Sequence, residues 1–360
     1  MNIASDVFEC KDAEQWNRLI STNHSASAYH LWEWGEALAK TYGYRKHYLA
    51  IARNNEFDGV FPLIYIKSQL FGTRLISLPF CEYGGMILRS ELAPEETEQT
   101  ARSLLSASAE LARNAKAEYV EVREPQSLTE NLQAAKYNQS QQYVTFRIDL
   151  TKGKEQLWKC LDKKTRNAVR KAEKSGLTLK ITEEAKQLKD YFGLYLQTQK
   201  RLGSPPHSYR LFQNLFETFS KSGKVSIRIG YYKQRPIAGV IVFMHNGRIF
   251  WWNNAADARY RRLDPTNLLL WNIIEWGAEK DFHVMDMGRT RKDTTIYHFK
   301  SGWGGNEVPI HDYVCFLTQK KRNLPDPSQM RFRYLSKAWS RLPISLSQRI
   351  GPKIVSGIGL

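Results

Sequence analysis

The sequence predicts an α/β (α+β) chain built as two domains of similar size, and three observations carry that expectation. The chain has 360 residues, more than one hydrophobic core usually organises. Apolar residues make up 42% and aromatic residues 12% of it, enough for a packed interior and unlike a disordered chain. Strand-like and helix-like stretches also alternate twice, the second run starting near Tyr143. That is the order of a mixed sheet covered by helices. The expected boundaries are 1–142 and 143–319, followed by a basic C-terminal helical tail at 320–360.

In the first half, helices are expected at 12–23 and 31–42; the second places Leu31, Trp34, Leu38 and Tyr42 on one face. Strands follow at His47 to Arg53, Gly59 to Lys67 and Leu75 to Pro79, then a loop from Phe80 to Gly85 that contains Tyr83. Its paired glycines, Gly84 and Gly85, mark either a tight turn or a close backbone approach to a ligand. A long amphipathic helix at 94–116 leads to a strand at Tyr119 to Arg123.

From Val144 to Leu150 the apolar residues alternate as in a half-buried strand. Helices are expected at 153–175, 184–202 and 208–222, and strands at 225–233, 236–245 and 248–254. His245-Asn246-Gly247 reads as the hairpin turn between the last two. A helix at 266–282, a short strand at 283–288 and a strand at Val308 to Leu317 complete the reading.

Lysine and arginine exceed aspartate and glutamate by 17, giving a pI near 9.6. Anionic partners are favoured: nucleic acid, nucleotide phosphates or acidic lipid. Cys10, Cys81, Cys160 and Cys315 lack metal-ligand spacing, so neither a disulfide framework nor a zinc site is expected. The opening residues have no signal-peptide pattern, and no stretch approaches the roughly 18 to 20 apolar residues that span a bilayer. A cytoplasmic protein is expected.

Several segments could carry chemistry. On a 153–175 helix, Lys163, Arg166, Arg170 and Lys174 form one basic stripe, suited to a bound polyanion or to a solvated face. Trp251 and Trp252 point to opposite faces of a strand, so one is core and the other is free to line a pocket. Asn253 and Asn254 would bind an amide or cap a turn. Asp286, at a strand end, would orient an amine or pair with Arg289. Tyr297, Phe299 and Lys300 gather aromatics and a cation near that same end, where Lys300 would steady a developing oxyanion. No nucleophile–base pair, Walker loop or metal-spaced histidine set is legible. Transfer by positioning and electrostatics is therefore favoured over covalent catalysis.

LWEWGEALAK, KKTRNAVRKAEKSG and DPTNLLLWNIIEWGAEKDFHVMDMG followed by YHFKSGWGG resemble the Fem family, the aminoacyltransferases that build peptidoglycan cross-bridges, with relatives at exopolysaccharide loci. The resemblance spans most of residues 25–317. It implies two GNAT-like domains and transfer of an amino acid from aminoacyl-tRNA to an amine of a phosphate-bearing cell-envelope precursor, without cofactor or metal. By position, Arg166, Arg170 and Lys40 resemble phosphate contacts of the precursor site, and Phe299-Lys300 resembles the family's Phe-Lys at the reaction centre. RYRRLDPTN stands where GNAT acetyltransferases keep a glycine-rich pyrophosphate loop and lacks those glycines. An acyl-CoA donor acting on a sugar amine is the alternative; a non-catalytic RNA- or membrane-binding protein is another. The tail has nine basic residues against Asp326, interleaved with Leu335, Trp339, Leu342, Leu346 and Ile350. It would lie on an anionic membrane or pack as a helix.

Overall fold

A computed structural model of the chain describes residues 7–69, 71–125, 132–133, 135–182, 185–318 and 330–359. In chain order the first half contains β1 (Val7–Glu9), α1 (Ala13–Thr22), α2 (Trp32–Tyr42), β2 (Arg45–Arg53), β3 (Glu56–Ser68), β4 (Gly72–Ile76), β5 (Ile87–Leu88), α3 (Pro94–Asn114) and β6 (Tyr119–Pro125). The second half continues with β7 (Asn138–Asp149), α4 (Gly153–Cys160), α5 (Lys163–Glu173), β8 (Thr178–Thr182), α6 (Ala185–Leu202), α7 (Tyr209–Ser220), β9 (Val225–Tyr232), β10 (Arg235–His245) and β11 (Arg248–Ala256). Then come α8 (Pro265–Glu279), β12 (Val284–Asp286), α9 (Thr295–Ser301), β13 (Asn306–Phe316), α10 (Met330–Trp339) and α11 (Ile344–Ile358).

The described residues fall into two compact units. Unit 1 lies within Met1–Tyr143, Pro309–Asp326 and Val355–Leu360, and unit 2 within Val144–Val308 and Pro327–Ile354. The strand expected at Val308 to Leu317 joins the sheet of unit 1, because Ile310 to Phe316 pair antiparallel with β6 and Tyr313 enters that unit's core. The sheet of unit 1 runs β1-β2-β3-β4-β6-β13, with β5 on β3. Its neighbours are antiparallel except β4 and β6, which are parallel. Leu63, Leu75, Val120 and Val122 meet Leu104 and Leu105 of α3 in one core. In unit 2 the order is β7-β12-β11-β10-β9-β8, and here β11 and β12 are the parallel pair. Ile249, Met285, Leu269 and Ile273 bury α8 against that sheet.

Local chemistry sets the ends. Asp12 caps α1 by accepting from the amides of Glu14 and Gln15. Asn246 and Gly247 turn between β10 and β11 with φ of 46° and 66°, as the Asn-Gly signal requires. The single helix expected at 153–175 is two helices. Leu161 is extended, and the carboxylate of Asp162 accepts from the amide of Thr165 to start α5. β8 and α9 are additions to the expected elements: at five and seven residues they are too short for a periodic pattern to announce them. The tail is likewise two helices, α10 and α11, with residues 320–329 outside the described residues. No described helix is long and apolar enough to cross a membrane.

Candidate active site

The site grows from a defect in β11. Ile241 stands opposite Asn253 but Val242 stands opposite Trp251, which leaves Trp252 as the extra residue of a β-bulge. A bulge resets the alternation of faces. Trp252 turns away to pack on Phe212 and Phe243, each at 5.5 Å between ring centroids. Asn253 joins it there, accepting a 2.6 Å hydrogen bond from the Tyr191 hydroxyl. Asn254 and Ala256 then open, together with Trp251, onto a cavity of about 740 Å³. That size suits a small-molecule or cofactor-sized ligand.

Phe299 lines the cavity beside Trp251, with their rings 6.3 Å apart and steeply inclined. Together they form an apolar floor. Around it stand Lys164 of α5, Arg201 of α6, Arg261, and the start of α8 at Thr266 and Asn267. A helix N-terminus presents amide donors and a positive dipole end. The acids of the cavity are engaged elsewhere. Asp162 caps α5. Asp257 is clamped by the Arg259 guanidinium at 2.6 to 3.1 Å, which holds its carboxyl below the usual range. Asp264 pairs with Lys171 at 3.0 Å. By contrast, Lys164, Arg201 and Arg261 have no acidic partner within 4 Å among the described residues. The cavity is thus cationic at its rim and aromatic at its floor, with the His298 imidazole on the wall.

Behind the floor lies a buried polar frame. Lys300, 6% exposed, donates to the carbonyls of Gly288 at 2.8 Å and Arg289 at 3.1 Å. Its ammonium stands 5.4 Å from the Trp251 ring centroid, a cation–π contact. Asp286, 1% exposed, accepts from the Thr145 hydroxyl at 2.7 Å, the Gly288 amide at 2.9 Å and Arg147 at 3.2 Å. The carboxylate is therefore paired with Arg147. Tyr297 packs on Phe146 at 5.3 Å and donates to Glu307 at 2.6 Å, which holds its phenol above the usual range.

Of the residues singled out in the sequence, Asn254 and Phe299 line the cavity, while Asp286, Arg289 and Lys300 support it. Trp252 and Asn253 face the other way. Arg166 donates to the carbonyls of Lys159 and Leu161, closing the end of α4, and Arg170 stacks on Trp158 at 5.3 Å. Lys40, exposed on α2, and Tyr83, buried after β4, both belong to unit 1. Sequence reasoning missed Lys164, Arg201 and Arg261. Lys164 lies one position off the basic stripe, and Arg261 stood in the arginine-rich loop.

That loop, Asp257 to Asp264, is no amide cradle for a pyrophosphate. The amides of Tyr260, Asp264 and Asn267 donate to Asp257, Arg261 and Asp264 carbonyls, the amide of Arg259 is taken by the Asp257 carboxylate, and Pro265 has none.

Residues 161–301 match the family model of the acetyltransferase (GNAT) domain, so unit 2 is an acyltransferase-type domain and the chain an enzyme of that class. No curated protein matches the chain. Among solved structures it is similar to FemX, at 15% identity and a TM-score of 0.70 over 87% of this chain and 98% of that one. It is also similar to L-PGS from Bacillus licheniformis, at 12% identity and 0.55 over 93% and 99%. A tandem GNAT protein from the clavulanic acid biosynthesis pathway, at 10% identity and 0.55, covers 88% and 99%. The fold is the tandem GNAT arrangement.

Proposed function

We propose that the chain transfers an aminoacyl or acyl group to an amine of a phosphate-bearing cell-envelope precursor, and that the unit 2 cavity holds the reacting groups. The observation that carries this reading is the charge asymmetry of the cavity: its carboxylates are engaged, and its three cations are left for oxyanions of a ligand. Arginine forks and a helix N-terminus bind phosphate well. The similarity to FemX and the Fem-like motifs favour aminoacyl-tRNA as donor. The amide-poor loop before α8 points the same way, because it offers an acyl-CoA pyrophosphate little beyond side chains.

In this reading the acceptor amine attacks the carbonyl of the donor ester. A C–N bond forms, the C–O bond to the carrier breaks, and the amine proton passes through His298 to the leaving hydroxyl. Negative charge developing on the carbonyl oxygen meets the positive dipole end of α8 and the Asn254 side chain. Lys300 acts at one remove, fixing the Gly288–Arg289 turn and the Trp251 floor, and is a positioning residue. With the donor and acceptor held side by side, no covalent intermediate is needed.

Titration with charged tRNA, uncharged tRNA and acetyl-CoA at two salt concentrations tests the donor. Non-specific attraction to a strongly basic protein fades steeply with salt. A salt-resistant preference for charged over uncharged tRNA is expected. Tight acetyl-CoA binding with only salt-labile tRNA binding would instead assign an acyl-CoA donor.

The helices α10 and α11 support a second element of this proposal, peripheral docking on anionic lipid. Tyr334, Leu335 and Leu346 are 70%, 64% and 43% exposed, and Lys337, Arg341, Arg349 and Lys353 are exposed among them. Apolar side chains with basic neighbours suit an interfacial segment. Co-sedimentation with vesicles containing phosphatidylglycerol, lost on Leu335→Glu, is expected; equal recovery with neutral vesicles would contradict it.

A further inference from the structure

The sheet of unit 1 hides two guanidiniums on the face turned away from α3. Alternation along β4 sends Leu75 into the α3 core and Arg74 to the opposite side, across from Ile66. On β6, Val120 and Val122 enter that core, and Arg123 points away. Arg74 is 0% and Arg123 2% exposed. What meets them is the last turn of α11. Arg74 Nη2 donates to the carbonyls of Gly357, at 3.2 Å, and Ile358. Arg123 Nη2 donates to the carbonyl of Gly359 at 2.7 Å, and the Tyr44 hydroxyl to that of Ser356 at 2.6 Å.

This cover leaves the site under-filled. A buried cation normally has a counter-charge. Arg123 lies 3.5 Å from Glu121, but Arg74 has no acidic partner within 4 Å among the described residues. Helix-terminal carbonyls supply only about half an elementary charge. Arg74 Nε and Nη1, and Arg123 Nε, find no acceptor among the described residues. The covering segment is also poor in side chains. A Cβ at Gly357 would lie 2.9 Å from Ser68, and one at Gly359, where φ is 65°, would lie 2.9 Å from Ile66 and 3.0 Å from Arg74. Beside the pair, the loop after β4 holds Leu78 and Phe80 at φ of 52° and 65°, backbone strain of the kind stored at functional sites. Arg123 Nη1 ties to this loop through the Cys81 carbonyl at 3.1 Å.

We propose that Arg74 and Arg123 form an oxyanion site in unit 1 for a phosphate-bearing ligand, and that the carbonyls of Gly357 to Gly359 occupy it in the ligand's absence. A phosphate brings full negative charge and enough acceptor oxygens for the idle donors. Its binding displaces the terminal segment. The inference stands apart from the unit 2 cavity, because none of its residues lies there.

Hydrogen exchange of the full chain tests it, with inorganic pyrophosphate as probe at constant ionic strength. Terminal amides such as that of Gly359, which donates to Val355 at 3.1 Å, should exchange roughly tenfold faster and saturably with pyrophosphate. Arg74→Gln should abolish the response, and Lys164→Gln with Arg261→Gln should keep it. Gly357→Val with Gly359→Val, which cannot seat the segment, should bind pyrophosphate about tenfold more tightly. Replacing pyrophosphate by UDP or by phosphatidylglycerol vesicles separates a soluble nucleotide from a lipid headgroup as the natural source. Unchanged terminal exchange at saturating pyrophosphate, with unchanged affinity in the glycine variant, would overturn the proposal.

Discussion

The two units solve one architectural problem in opposite ways. Each builds a sheet around a single parallel pair, β4 with β6 in unit 1 and β11 with β12 in unit 2, and a parallel pair leaves a crevice where its strands end. In unit 1 the segment Gly357 to Gly359, at the end of α11, lies over buried Arg74 and Arg123. In unit 2 the bulge at Trp252 turns two residues to the far face, and a 740 Å³ cavity remains, with exposed Lys164, Arg201 and Arg261 at its rim. Basic side chains thus do different things according to cover. Buried, they demand acceptors from whatever is near. Exposed beside engaged acids, they are available to a ligand.

Three substitutions in unit 2 sharpen that contrast. Asp286→Ala should have the largest effect, about 3–5 kcal/mol of stability, because Arg147 and Arg248 lose the buried carboxylate between them; the denaturant midpoint reads it. Lys300→Ala should cost about 1–3 kcal/mol by leaving two carbonyls without a donor, and lower kcat by about 10²-fold with KM nearly constant. A loss confined to stability would remove Lys300 from the transfer step. Arg166→Ala should cost about 1 kcal/mol by uncapping α4 and leave the affinity of a phosphate-bearing substrate within about twofold.

A further effect, absent at neutral pH, is on acid stability. Burial holds the His207 imidazole at about 3, below its ordinary value of 6.5, so the folded state keeps it neutral while the unfolded chain protonates. The unfolded state then binds more protons, and stability falls as pH drops from about 6.5 towards 3. His207→Gln should flatten that acid limb in thermal melts taken at successive pH values.

Much of this fold could be read from the residues. The Asn246-Gly247 hairpin, the amphipathic α3 and the apolar α8 are local patterns, and local patterns survive folding. The break at Asp162 was not legible, because aspartate inside a helix costs only tenths of a kcal/mol on propensity, and its capping role needs Thr165 in place. The bulge was not legible either: it is a relation between β10 and β11, so the face of Trp252 was settled by register rather than by its neighbours. The same holds for the basic stripe. Spacing placed Arg166 and Arg170 together correctly, but their partners, the end of α4 and Trp158, are set by how two helices pack. Arg74 and Arg123 gave no signal, since their acceptors lie more than two hundred residues away in the chain.

The central claim is that the rim cations of the unit 2 cavity grip a phosphate-bearing substrate. Steady-state transfer from charged tRNA to a nucleotide-linked peptidoglycan precursor, compared between the natural chain and Lys164→Gln with Arg261→Gln, tests it most directly. These side chains are exposed, so the fold should be unchanged. KM for one of the two substrates should rise at least about tenfold, equivalent to about 1.4 kcal/mol, with kcat changed little. Unaltered KM for both substrates in an active enzyme would contradict the account.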